Sequence, residues 1–262
     1  MIVREMPSGQ LLCIHQTSHG LMAAEFCRHW GNDDFRPPSP YPETLLGIAQ
    51  HDNGWYEWEL KPKLRSDGYP MDFLHDPDVL GKINIWRLSV DRAYTQHPYA
   101  GILTGQHAVD LYQTYPIPSI TESEQAHIAE FAAEQQMLLS LVQDCMNMDT
   151  RISARLHQSA IDSNMRLLQF GDQASLRVTM PWEGMGAIQN CPVDGEGTFT
   201  EIKMTFNEES IAFEPWPFGV PEFDVHIHGR MLSQRTFEDE ERYHSALSEA
   251  PLYSHQWRVV AG

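Results

Sequence analysis

Apolar residues recur at helical intervals along the first two thirds of the chain and alternate with polar ones along much of the remainder. The opening MIVREMPSGQLLCIHQ reads as a short strand pair or extended arm folded at Pro7-Ser8-Gly9. From Thr17 the period becomes helical. Ser18 is a candidate cap, and Leu21, Met22, Phe26 and Trp30 form a run that Gly31-Asn32 stops. After the Pro-rich RPPSPYPE, Pro42-Glu43 opens a second helix, ETLLGIAQHD. Its Leu45, Leu46, Ile48 and Ala49 cover most of the circumference, which predicts a central position.

Residues 55–78 read as an aromatic loop punctuated by Pro and Gly. Helices are expected at about 79–96, 99–114, 121–147 and 150–170, the third opened by the capping box Thr121-x-x-Glu124. Beyond Asp172, the segments SLRVTM, FTEIKMTF, SIAFEPW and FDVHIHGRML alternate apolar and polar residues between turn formers, the pattern of an antiparallel meander. The expected class is α+β. A helical body with its short N-terminal arm spans 1–175, and a β-meander over 176–262 packs on it as one cooperative unit. Phe199, Ile202, Met204, Phe206, Ile211, Phe213, Val225 and Ile227 are available to give the sheet a buried face.

Composition narrows the function classes. With 262 residues and 42% hydrophobic content, the chain can bury a large core. Mean hydropathy is −0.41, and no apolar run approaches the roughly 18 residues of a membrane span. The N-terminus lacks the apolar stretch of a signal peptide, so a cytoplasmic location and no membrane partner are expected. Cys13, Cys27, Cys145 and Cys191 form no CxxC pair and read as reduced, mostly structural thiols. Thirty-six acidic residues against 18 basic ones give −18, which repels a polyphosphate backbone and argues against a nucleic-acid partner. A small anionic substrate stays open, because a bound metal can reverse the field locally. A homodimer is left open as well.

Thirteen histidines make their placement informative. His19 begins the first helix, His51 and Asp52 end the second, and Asp172 is expected at the end of the last helix before the sheet. Converging helix ends would offer N/O ligands suited to a divalent ion: Mn, Fe, Co, Ni, Zn or Mg. A structural imidazolium at a helix C-terminus is the competing reading of His51. His75, His97 and His107 compete for further positions at such a site, with His107 a candidate second-site ligand or general acid. Trp55 and Trp58 either wall a substrate pocket or join Trp182, Trp216 and Phe218 in the core. His226 and His228, alternating on one strand face, read as exposed surface.

The order His19 … His51-Asp52 … Asp172 resembles the H…HD…D signature of the HD-domain superfamily of metal-dependent phosphohydrolases. LLGIAQHDNG is similar to the apolar helix that runs into His-Asp and a turn there, and DQASL to the region of the last Asp. Over nearly the whole chain, TSHGLMAAEFCRHWG, AQHDNGWYEW, HPYAGILTGQHAVDLY, LLQFGDQASL and FEPWPF resemble a bacterial family catalogued only as a domain of unknown function. The HD resemblance implies an HD-like helical bundle and a metal-dependent hydrolase of a small phosphate ester or nucleotide. His19, His51, Asp52 and Asp172 would be its ligands, with Asp52 bridging a second ion if the site is binuclear. The lysine that follows His-Asp in catalytic HD proteins is absent, and Gly54-Trp55 stands there. Two alternatives keep the pocket: an HD-like di-iron oxygenase of the inositol-oxygenase type, and a non-catalytic small-ligand-binding protein.

Overall fold

The structure is a computed structural model that describes residues 1–115, 117–146, 149–180 and 186–262; Trp182 lies outside them. A hairpin opens the chain, with β1 (Ile2–Glu5) paired antiparallel to β2 (Leu11–Ile14) around Gly9, whose φ of +82° suits a residue without Cβ. There follow α1 (Gln16–Cys27), α2 (Tyr41–Gln50), a 3-10 turn at Asn53–Trp55, α3 (Tyr56–Leu60), α4 (Val79–Gln96) and α5 (Pro98–Thr114). Next come α6 (Glu122–Cys145), α7 (Thr150–Ser153) and the long α8 (Gln158–Thr179). The chain then forms β3 (Ile188–Pro192), β4 (Phe199–Phe206), β5 (Ser210–Glu214), β6 (Glu222–Leu232), α9 (Glu240–Glu249) and β7 (Leu252–Ala261).

The protein is mixed α and β, with the strands in one seven-stranded sheet of order β1-β2-β6-β7-β5-β4-β3. The sheet departs from a C-terminal antiparallel meander in two ways. The N-terminal hairpin joins it through β2 and β6, and β5 pairs with β7 in parallel. SLRVTM is not a strand but the last turns of α8. Ala174, Ser175, Arg177, Val178 and Thr179 are all buried there, so the helix shows no polar stripe and its alternation is incidental. The first helix is also capped differently, with His15 at its N-cap position. Ser18 instead serves the sheet. β2 pairs with β6 only at Arg230–Leu232, leaving the earlier part of β6 without a strand on that side. Ser18 Oγ accepts from the His228 N–H and donates to its carbonyl at 3.3 and 3.0 Å, and Glu25 Oε2 accepts from His226 N at 2.6 Å. Helix α1 thus covers an open sheet edge.

One sheet face buries Ile14, Ile202, Met204, Ile211, Phe213, Val225, Ile227 and Val259 in the same core as Met22 and Phe26 of α1 and Phe170 and Val178 of α8. Each such large side chain contributes about 1.5–3 kcal/mol of burial energy. Phe199 and Phe206 stay largely exposed. A second core gathers Val3, Leu11 and Cys13 with Tyr243 and Leu247 of α9, so both faces of the hairpin are covered. No helix among the described residues is long and apolar enough to cross a membrane.

Because β7 lies between β6 and β5, ending the chain after Glu249 should remove the backbone partner of both strands and the buried Trp257 and Val259. The expected result is loss of a cooperative urea transition followed by circular dichroism. Leu252→Ser, at the exposed start of β7, should shift stability by no more than about 0.5 kcal/mol.

Candidate metal centre

Four helical elements bring five ionisable side chains together. His19 lies in the first turn of α1, His51 and Asp52 follow the last turn of α2, His107 is on α5 and Asp172 is on α8. None exceeds 8% exposure. Asp172 is interior to its helix rather than at its end, because α8 continues to Thr179. It reaches α1 because the preceding residue is Gly171, where a Cβ would come within 2.7 Å of the Ala23 carbonyl oxygen and the Cys27 sulfur. Only a glycine lets α1 and α8 approach this closely.

His19 Nε2 lies 3.0 Å from Asp172 Oδ1 and 3.7 Å from Asp52 Oδ2. His51 Nε2 lies 3.5 and 3.6 Å from the same two oxygens. One donor atom each from His19, His51 and Asp172 falls within 4.8 Å of the others. His107 Nε2 adds a third imidazole, 3.9 Å from Asp172 Oδ2, with the Trp86 ring edge-on at 5.8 Å between centroids. The Nδ1 atoms of the first two histidines are tied back. His51 Nδ1 donates to the Ile48 carbonyl at 2.7 Å, and His19 Nδ1 sits 2.7 Å from Ser175 Oγ. That hydroxyl also lies 2.9 Å from the carbonyl oxygens of both Gly171 and Asp172. Anchoring Nδ1 aims Nε2 inward, the usual arrangement behind a ligating imidazole. His51 Nε2 and His107 Nδ1 are buried without a hydrogen-bond partner.

Burial and charge act against each other at every group. Burial alone would lower the His51 pKa, but Asp52 and Asp172 outweigh it and hold it up at about 9. Burial would raise Asp172, yet the surrounding His19, His51 and His107 keep it far below the usual carboxylate range. Asp52 ends above its ordinary value because His51 and His19 offset its burial only in part. Burial pushes His107 down to about 4 against the pull of Asp172, leaving a neutral imidazole at physiological pH.

The remaining candidates lie elsewhere. His75 pairs with Asp72 at 2.8 Å with its side chain mostly exposed. His97 caps α5 by accepting from Tyr99 N at 3.2 Å. His226 faces Glu25 at 3.5 Å and His228 is exposed. Trp55 is buried edge-on to Trp58 and Phe73, and the Trp58 indole donates to Asp76 at 2.8 Å and packs beside the hairpin core. Neither tryptophan lines the cavity between α5, α6 and α8 or the one beside Trp30 and Arg155. Gly54 explains the turn after His51-Asp52: a Cβ there would fall on the Ile85 carbonyl oxygen and 2.7 Å from Ser89 Oγ, which accepts from Gly54 N. The next position, where the lysine of the resembled HD proteins would stand, is the buried Trp55. Sequence reasoning missed Ser175, although its spacing of three from Asp172 on one helix was a usable signal.

The chain belongs to the family described as a protein of unknown function (DUF3891), whose model matches residues 1–234. No curated protein and no solved structure matches it. The matched span contains all five residues of the centre and ends before α9 and β7.

Two outcomes are expected. Gly54→Ala should destabilise the fold by about 1–3 kcal/mol or more, since the turn and α4 must separate; a denaturant midpoint within error of wild type would contradict the packing. The second concerns protons. His51, with a pKa near 9, carries a proton at pH 7.5 in the ion-free protein, and a ligating nitrogen must lose it. Divalent-ion affinity should therefore rise with pH up to about 9, with a proton released on binding. Calorimetry in buffers of different ionisation enthalpy measures this, and affinity unchanged from pH 6.5 to 9 would contradict it.

Proposed function

We propose that this protein is a metal-dependent hydrolase of small phosphate esters, of HD type, with His19, His51, Asp52 and Asp172 as ligands. The observation that carries this reading is the His51 imidazole. Its Nε2 is buried between two carboxylates without a hydrogen bond, while its Nδ1 is fixed by the Ile48 carbonyl. Carboxylate oxygens at 3.5 and 3.6 Å favour a positive charge at that nitrogen, which a proton supplies in the ion-free protein and a bound metal ion would supply in its place. The four imidazole–carboxylate separations of 3.0–3.7 Å are close to the edges, about 3.0–3.4 Å, of a coordination shell with bonds near 2.1 Å; His19, His51 and Asp172 group within 4.8 Å, and Asp52 stands outside that group and would have to move closer to Asp172 to join it. The nitrogen and oxygen donors suit Mn, Fe, Co, Ni, Zn or Mg.

Such an ion lowers the pKa of a bound water and polarises a phosphoryl oxygen. The chain's own residues do the rest. Asp172 and Asp52 balance the ion's charge, and Ser175 and the Ile48 carbonyl hold two imidazoles in place. His107, neutral at working pH, suits a further ligand or proton acceptor better than a general acid. Asp52 has a second oxygen free to bridge if two ions bind. The net charge of −18 disfavours long polyanions as substrates.

A di-iron oxygenase is the second reading, favoured by the missing phosphate-side lysine: the residue after Gly54 is Trp55, buried against Trp58 and Phe73. Metal identity separates the two. Protein purified without tag or chelator should contain Mn, Mg, Ni, Co or Zn and release phosphate from monoesters; iron with oxygen-dependent turnover would favour the oxygenase.

Asp52→Ala tests the centre itself. In excess chelator its stability should stay near wild type, because the lost carboxylate is one whose charge the buried site disfavours. In Mn at about a hundredfold over Kd, the wild type should gain about 2.7 kcal/mol and the variant nothing. Paired denaturant titrations measure both. A wild type with no metal-dependent gain, and a variant equally destabilised in both conditions, would make His51-Asp52 a structural helix end.

A further inference from the structure

Helix α4 holds both ends of one peptide unit in the turn that leaves His51-Asp52. Ser89 Oγ accepts from Gly54 N at 2.8 Å, and Arg92 donates to the carbonyl of Asn53, the other half of the same peptide. The two side chains stand three residues apart on α4 and so share a face. Arg92 also donates to Asn53 Oδ1 at 3.3 Å, while Asn53 Nδ2 donates to Gln50 Oε1 of α2. The guanidinium itself is held by an ion pair with Glu57 and lies over the Tyr56 ring, 5.9 Å from its centroid. One peptide earlier, the Asp52 carbonyl accepts from Trp55 N at 3.1 Å. Asp52, at φ −106° and ψ 15°, is where the chain leaves the axis of α2, and both peptides that follow it are held.

We infer that Ser89 and Arg92 are positioning residues for Asp52, keeping its carboxylate within reach of a metal ion at the centre. The inference rests on the metal reading proposed above. Asp172 and His19 sit inside α8 and α1, whose helical hydrogen bonds fix their backbones. Asp52 sits in a turn and depends on α4 for the same restraint. It is buried, and its Oδ2 lies 3.6 and 3.7 Å from the Nε2 atoms of His51 and His19, outside the group formed by His19, His51 and Asp172. A buried carboxylate gains free energy by turning toward water. An unrestrained turn after α2 would let the backbone follow it outward. With the Asn53–Gly54 peptide held at its N–H and at its C=O, the carboxylate moves by rotation of its own side chain. A short step toward an ion stays open to it, and an outward swing of the turn is closed.

The test uses the full chain, titrated with Mn by calorimetry and saturated with Co for visible absorption. Arg92→Ala frees the carbonyl end of the peptide and Ser89→Ala the amide end. Each should weaken Mn affinity about 10–100-fold, the usual cost of removing a group that orients a ligand. Each should also change the d–d band of the Co-loaded protein, because a lost carboxylate alters the coordination geometry. Two controls separate positioning from general stability. Glu57→Gln removes the exposed ion pair and leaves Arg92 on the Asn53 carbonyl. Val79→Ala trims a buried side chain at the far end of α4, about 20 Å away. Both controls should bind Mn within about twofold of wild type, with an unchanged Co band. Wild-type affinity or an unchanged Co band in Arg92→Ala or in Ser89→Ala would overturn the inference, as would a control that weakens binding equally. A wild type that takes up neither ion would overturn the metal reading and the inference together.

Discussion

Two carboxylates and three imidazoles withdrawn from water at one helix junction set the terms for the rest of this molecule. Moving such groups into a protein interior is expensive unless they face one another or a cation at short range. Short range requires close backbones. The glycines supply it: Gly171 between α8 and α1, Gly54 between the turn and α4, and Gly20, where a Cβ would lie 3.1 Å from the Ala49 carbonyl oxygen at the meeting of α1 and α2. The contact distances within the centre follow from these close approaches.

The sheet is part of the same construction. Ser18, which ties α1 to β6, immediately precedes His19, so the edge of the sheet fixes the height of the first imidazole. From the other side Glu59, at the end of the short helix that follows the His-Asp turn, accepts from Gln16 N at 2.7 Å and holds the beginning of α1. The segment carrying His51 and Asp52 therefore also positions the helix carrying His19. The stretch HDNGWYEWEL contributes two candidate ligands, a close turn and a clamp within ten residues.

Much of this was legible in the chain, for identifiable reasons. The helix expected over ETLLGIAQ forms as α2, although it buries Glu43, Thr44, Gly47 and Ile48 and leaves Leu45, Leu46 and Ala49 half-buried; the capping box at Thr121 and Glu124 forms as read, with Glu124 N donating to Thr121 Oγ1 at 3.2 Å. His19, His51, Asp52, His107 and Asp172 could be singled out because polar residues at ends or inner faces of apolar helices need partners. What stayed hidden was non-local or symmetric in pattern. The end of α8 is buried all round and gives no period. The parallel pairing of β5 with β7 joins segments about 50 residues apart, with no local turn to announce it. α9 carried a usable signal in Tyr243 and Leu247, spaced four apart on a short helix, yet lay inside a stretch rich in charge. The ion pair of Asp110 with Arg166 depends on how α5 and α8 align, which neither helix reveals alone.

The hydroxyl of Ser175 has a consequence for how such a centre is filled. It can give its hydrogen to His19 Nδ1, leaving the Nε2 proton to bind Asp172, or turn it toward the carbonyl of Gly171 or Asp172 and receive one from Nδ1 instead. The same heavy-atom framework thus accepts a proton or a cation between His19 and Asp172, given a rotation of the hydroxyl and the change of imidazole tautomer that moves the proton from Nε2 to Nδ1. Folding need not wait for an ion, and on the metal reading proposed above an ion arriving later would meet a receptacle already shaped, so that loading would be separable from chain assembly.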